Sequence, residues 1–395
     1  MSYMNLEKST AIQSRVIDIS SFWAQFAISM VNLALVYHMR IRFGLSAQLV
    51  GLSAAVYTST YFLCCILLGS VASRLRPRHS VMLSMGVMAL AQVVVIVTNS
   101  VLVAFMALVL YGIGMSFLWP QIEGWLARGK EGRDLNKATS SFNVAWSLGA
   151  ALSPLLTGIL LEQATVAPLL AGIALFISVY LIIAIATRLV PSIRSVESEH
   201  VTVQQSQVKD ASTPLRFLSW AGVLTVYASL AVTLTIFPMH AMDNLPFSET
   251  VVGILLLIRG VSTVIMFIVM GKSSSWHFNR SLVIITQFMV AAVCLYGTMV
   301  DSFAGLALFF LLFGILFAMA YSYSIFHGAS GSVNRSSRML IHEVLLTIGT
   351  VIGSIVGGTL YQYIDYSMVL YACAVLVSVP ALFSLVRSFA RKAIH

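Results

Sequence analysis

The sequence predicts an all-α integral membrane protein with twelve transmembrane helices in two pseudo-symmetric six-helix bundles. Three observations predict it: a composition too apolar for water, twelve apolar runs of spanning length, and a repeat that maps one half of the chain onto the other.

Of 395 residues, 59% are hydrophobic and 9% charged, against about 25% charged in soluble domains. Burial in a soluble fold is limited by surface-to-volume scaling, so lipid is the solvent left for this much apolar surface. The net charge of +9 does not point to nucleic acid, because the basic residues are spread over many loops rather than gathered on one face. Cys64, Cys65, Cys294 and Cys373 fall inside apolar runs without metal-ligand spacing. They read as buried, reduced, small hydrophobes, and neither a metal nor a cofactor is expected. No phosphate loop, zinc signature or nucleophile elbow occurs, so an enzyme is not expected.

A bilayer core about 30 Å thick takes roughly 20 apolar residues in helix. Twelve runs approach or exceed that: 17–38, 46–72, 80–98, 101–127, 138–161, 167–189, 216–240, 249–271, 281–299, 302–326, 339–362 and 367–388. A β-barrel would instead show alternating segments of about ten residues. Residues 1–16 are polar, with Glu7, Lys8 and Arg15, and no cleavable signal peptide is expected.

Basic residues orient the chain. With the N-terminus inside, the loops holding Arg74, Arg76 and Arg78, then Arg128 to Lys137, Arg188 to Arg216, Lys272 and Arg280, Arg335 and Arg338, and the tail from Arg387 are all internal. Arg40 and Arg42 fall outside and Arg259 falls within the membrane. Positively charged loops stay in the cytoplasm. The expected location is the cytoplasmic (inner) membrane, multi-pass, with both termini cytoplasmic and the basic loops against anionic headgroups.

The longest polar stretch, 190–215, reads as a cytoplasmic linker. It divides the chain into an N-terminal six-helix bundle, 1–189, and a C-terminal one, 216–395. At a spacing of 202, Gly51 meets Gly253, Gly69 meets Gly271, Gly112 meets Gly314 and Gly129 meets Gly331. After a two-residue slip, Gly149 meets Gly349 and Gly158 meets Gly358 at a spacing of 200. Fixed-period self-similarity marks an internal repeat. A parallel repeat of six-helix halves places a substrate site between the halves, near the bilayer midplane.

Three local motifs carry a family resemblance. The loop after span 2 runs from Gly69 through Ser73, Arg74 and Arg76 to Arg78. It is similar to G-x-x-x-D-R-x-G-R-[RK], with Ser73 in place of Asp and Arg76 in place of the second Gly. Span 5 carries Gly149, Ser153, Pro154, Thr157 and Gly158, and span 11 carries Gly349, Gly353, Ser354, Gly357 and Gly358. Both resemble the G-x-x-x-G-P-x-x-G-G motif of antiporter members. The chain thus resembles a major facilitator superfamily transporter over its whole length. The small-residue stripes equally fit close backbone packing alone. In span 4, Leu108 stands where proton-coupled antiporters of the family often carry Arg.

Arg259 is the most informative polar residue. It lies mid-span in GILLLIRGVSTVIMFIVMG, where insertion costs roughly 2.5–3.5 kcal/mol. It reads as a contact for an anionic substrate group or a gate, or else as a structural clamp to backbone or to Tyr57, its repeat mate. Glu123 in span 4 and Glu343 in span 11 are candidates for proton coupling or gating. His342 beside Glu343 is a further titratable candidate, and Asn143 holds the position of Glu343 in the first half. The resemblance implies that spans 1, 4, 7 and 10 line the cavity. That adds Gln25, Asn32, Trp119, Gln121, Tyr227, Tyr321 and Tyr323 as substrate-binding candidates.

The expectation is a secondary active transporter of a small organic solute, anionic or amphipathic, working by alternating access as a monomer in the bilayer. The competing expectation is a transport-inactive relative acting as a membrane sensor or assembly partner.

Overall fold

The computed structural model describes residues 3–72, 74–127, 132–190, 193, 212–332 and 335–393. The predicted linker 190–215 and motif residue Ser73 lie largely or wholly outside that set. Among the described residues every regular element is helical. Twelve helices are long and apolar enough to span a membrane: α1 Ala11–Ile41, α2 Ala47–Leu67, α3 Pro77–Val97, α4 Val101–Leu126, α5 Ala138–Gln163, α6 Ala167–Leu189, α7 Leu215–Asn244, α8 Glu249–Lys272, α9 Arg280–Gly297, α10 Phe303–Ala329, α11 Arg338–Tyr363 and α12 Tyr366–Ser388. Their outer faces carry Leu102, Met106, Leu189, Val375 and Phe383, all exposed, a surface suited to acyl chains and not to water.

Short polar residues begin several helices. The side chains of Ser100, Asn279 and Ser302 accept the backbone N–H of Val103, Leu282 and Gly305, filling donors that a helix start leaves open. Two proline positions shape the interior. In α4 the helix breaks at Phe117, just before Pro120, and the Ser80 hydroxyl donates to the Phe117 carbonyl at 2.8 Å. In α7 a π-turn at Val232–Ile236 precedes Pro238, the local widening by which a helix absorbs a residue without an N–H.

The chain forms two compact units, Met1–Gly44 with Val56–Val203, and Leu45–Ala55 with Gln204–His395. In the first, α1 packs on α5 and α6, and α3 on α4 and α6. In the second, α7 packs on α11 and α12, and α9 on α10 and α12, so the repeat read in sequence recurs as repeated helix pairs. The start of α2 belongs to the second unit through α11. The Ala47 N–H donates to Gln362 at 2.8 Å, and Gly51 and Gly358 leave no room for a Cβ against the main chains of Ser354 and Ala47.

One expectation needs correction. Cys294 and Cys373 are buried, but Cys64 and Cys65 are half-exposed, because residues 58–67 of α2 are covered only in part. The helix that holds the first apolar run, 17–38, extends from Tyr3 to Ile41, its polar opening turns continuing the helix of the span.

Candidate functional site

In the second unit, Arg259 sits at the middle of α8, only 7% exposed. Its backbone is fixed first. The Arg259 carbonyl accepts the hydroxyls of Ser262 at 2.8 Å and Thr263 at 2.9 Å. Gly314 of α10 packs so closely on that carbonyl that a Cβ there would collide with it. Small residues at such crossings let main chains approach.

The guanidinium is less satisfied than the backbone beneath it. Its Nε has no hydrogen-bond partner among the described residues, and Tyr227 of α7 is its electrostatic neighbour. Tyr227 also couples to Glu343 of α11. Around them stands a basket of rings. Tyr227 lies 5.3 Å from Phe317 and 6.3 Å from Tyr321 between centroids. Tyr321 lies 5.4 Å from Phe267 and 5.0 Å, edge to face, from His342. His342 is buried rather than solvated at the helix end, with Nδ1 2.8 Å from the Ser324 hydroxyl. The structure therefore brings together five sequence candidates: Arg259, Tyr227, Tyr321, His342 and Glu343. It adds Phe267 and Phe317. Phe317 was legible, since Gly314, Phe317 and Tyr321 recur at helical spacing on one stripe of α10.

Tyr323 lies elsewhere. It is buried against Trp276 and His327, with centroids 5.6 and 6.0 Å away. His327, which sequence reasoning missed, is fully committed. The Phe278 N–H donates to its Nε2 at 3.2 Å, and Nδ1 lies 2.7 Å from the Ser219 hydroxyl. Because Nε2 accepts, the proton sits on Nδ1 and donates to Ser219.

In the first unit, the Tyr111 hydroxyl donates to Asn32 at 3.2 Å, and the Tyr57 and Tyr111 rings meet edge to face at 5.6 Å. Gly112 packs on the Tyr57 carbonyl, matching Gly314 on Arg259. Gln25 donates to the Ser29 hydroxyl at 3.0 Å, and Trp119 packs on Phe142 at 6.1 Å. The Trp146 indole donates to Asn143 at 3.2 Å. Gln121 is half-buried and Glu123 is exposed on α4. Among the described residues these contacts do not join into one cluster.

The motif residues divide by role. Arg74 is exposed, whereas Arg78 is buried and donates to the Ile193 carbonyl at 2.9 Å, tying the loop to the end of the first unit. A Cβ at Gly69 would meet open space. In α5, Gly149 packs on the Phe22 carbonyl, and Ser153, one residue before Pro154, donates to the Phe26 carbonyl at 2.7 Å. In α11, Gly349 packs on the Leu224 carbonyl, Gly353 on that of Ala228, and Gly357 on Val232. These contacts join α5 to α1 and α11 to α7.

Twelve membrane-spanning helices in two repeated six-helix sets define a multi-pass membrane protein with the fold of secondary transporters. A family model for the Major Facilitator Superfamily matches residues 17–325, and the chain belongs to that superfamily. Solved structures agree on the fold. A mutant of the peptide transporter POT is 13% identical with a TM-score of 0.77, over 95% of this chain and 94% of that one. A POT family transporter in complex with a thioalcohol-conjugated peptide is 12% identical with a TM-score of 0.74, over 95% and 96%. Another, in complex with 5-aminolevulinic acid, is 12% identical with a TM-score of 0.72, over 95% of each chain. No curated protein matches the chain in sequence.

Proposed function

We propose that this protein is a secondary active transporter of a small organic solute, working by alternating access, and that the α7–α8–α10–α11 basket around Arg259 contacts the solute. One observation carries the reading: a guanidinium at mid-membrane depth, 7% exposed, whose Nε has no partner among the described residues. Such a charge is expensive in a bilayer and marks a substrate or ion path. A structural clamp would have its donors filled by backbone carbonyls or a carboxylate.

In this reading Glu343 or Glu123 carries a coupling proton. The coupling of Glu343 to Tyr227 links one of these acids to the Arg259 basket. Membership of the superfamily and the inside-positive loops support a protein of the inner membrane with both termini cytoplasmic, divided into six-helix halves at the 190–215 linker.

The test is counterflow in proteoliposomes, with organic acids, amino acids and amines each preloaded against a labelled trace. The expected result is exchange of one class by the parent and loss of that exchange in Arg259→Gln. Folded protein that exchanges nothing across the panel would favour the transport-inactive alternative.

A further inference from the structure

The basket has one cation and several rings, and that combination is selective. Taking a guanidinium out of water costs several kcal/mol unless an anion pairs with it. Among the described residues Nε finds no partner, and the electrostatic neighbour of the guanidinium is a phenol rather than a carboxylate. The planar fork of Arg matches a carboxylate two bonds at a time. Tyr227, its electrostatic neighbour, carries a hydroxyl that is a further donor for such a group.

The remaining walls suit a flat apolar body. Tyr227, Phe267 and Tyr321 are half-buried, so each keeps ring surface to offer, and Phe317 backs Tyr227 at 5.3 Å. Offset and edge-to-face packing between rings at such spacings contributes about 0.5–1.5 kcal/mol per pair beyond area burial. Among the described residues Arg259 is the one cation whose charge acts on Tyr227, and the Glu343 carboxylate acts on the same ring. A second negative charge on the ligand would therefore meet repulsion.

We propose that the Arg259 basket binds organic monoanions that carry a single carboxylate on an aromatic body. The carboxylate lies on the Arg259 guanidinium, and the ring lies among Tyr227, Phe267, Phe317 and Tyr321. The inference rests on reading this basket as the solute site.

Binding to the full-length protein in detergent tests the class. The probes are 3-phenylpropionate, its neutral amide, acetate and phenylalanine, with affinity taken from thermal shift across a concentration series. The carboxylate should bind at least tenfold more tightly than the amide, than acetate and than zwitterionic phenylalanine. Arg259→Gln should weaken 3-phenylpropionate at least tenfold and leave the amide unchanged. Arg259→Lys, which keeps the charge and loses the fork, should fall between them and serves if the Gln variant fails to fold. Equal binding of carboxylate and amide by the parent, or tighter binding of phenylalanine, overturns the proposal. Counterflow separates the two readings. Exchange of a neutral solute or an amine without carboxylate binding leaves the transporter and removes the class. Carboxylate binding without exchange of any solute leaves the class and removes the transporter.

Discussion

Gly314 packs against the main-chain carbonyl of Arg259, and 202 residues earlier Gly112 packs in the same way against the carbonyl of Tyr57. One helix crossing has been kept in both halves, while the side chain above it has changed from a phenol to a guanidinium. The crossing fixes where the charge stands. What the charge does depends on the side chain alone.

Gly314→Ala should therefore act on stability and on the Arg259 site together. A Cβ there meets the Arg259 carbonyl and the Ser262 hydroxyl, and overpacking of this kind costs about 1–3 kcal/mol. Thermal unfolding in detergent should show the loss. Gly86→Ala, where a Cβ would meet nothing within 4 Å, should leave the melting temperature unchanged or slightly raised.

The α5 and α11 stripes should respond asymmetrically. Ser153 uses its hydroxyl to reach the Phe26 carbonyl, so Ser153→Gly should cost only about 0.5–1.5 kcal/mol, the worth of one hydrogen bond. Gly353 lies directly on the Ala228 main chain, so Gly353→Ser should cost about 1–3 kcal/mol although it restores the residue found in the other half. Equal effects in paired unfolding measurements would mean that the two stripes pack alike.

His327 should hold the loop between α8 and α9. Its Nε2 accepts the Phe278 N–H and its Nδ1–H meets Ser219, while Phe278 holds a left-handed backbone at φ 52° that needs support. His327→Ala leaves the part-buried Phe278 N–H and the buried Ser219 hydroxyl without their partner, at about 1–3 kcal/mol. Hydrogen exchange over 273–279 should quicken in that variant and stay at the parent rate in His277→Ala.

For proton coupling, Glu123→Gln and Glu343→Gln freeze each acid in its neutral form. Replacing the coupling acid should abolish accumulation driven by a pH gradient and spare exchange between two solute pools, since exchange moves no net proton. Proteoliposomes with an imposed gradient measure both. Accumulation at the parent level in both variants would assign these acids to gating or packing.

The twelve spans and the repeat were legible in sequence because lipid forces long apolar runs, and because Gly112, Gly149, Gly314 and Gly349 sit where main chains touch. Arg259 was legible because a charge at mid-span is rare. Tyr321 and Tyr323 show where sequence reasoning stopped. Two residues apart on one helix, they face different neighbours, one the Arg259 basket and the other the Trp276–His327 cluster. Only the rotation of α10 against α8 and α9 decides which is which. His327 was invisible for the same reason, since its partners Ser219 and Phe278 lie on distant segments.

The most direct measurement is side-specific labelling at the basket. Tyr321→Cys is placed in a background where Cys64, Cys65, Cys294 and Cys373 are Ala, and a membrane-impermeant maleimide is added to right-side-out or inside-out vesicles. Alternating access at this site predicts labelling from both faces, with 3-phenylpropionate slowing it from each. Labelling from one face alone, whatever gradient or ligand is imposed, would contradict the account.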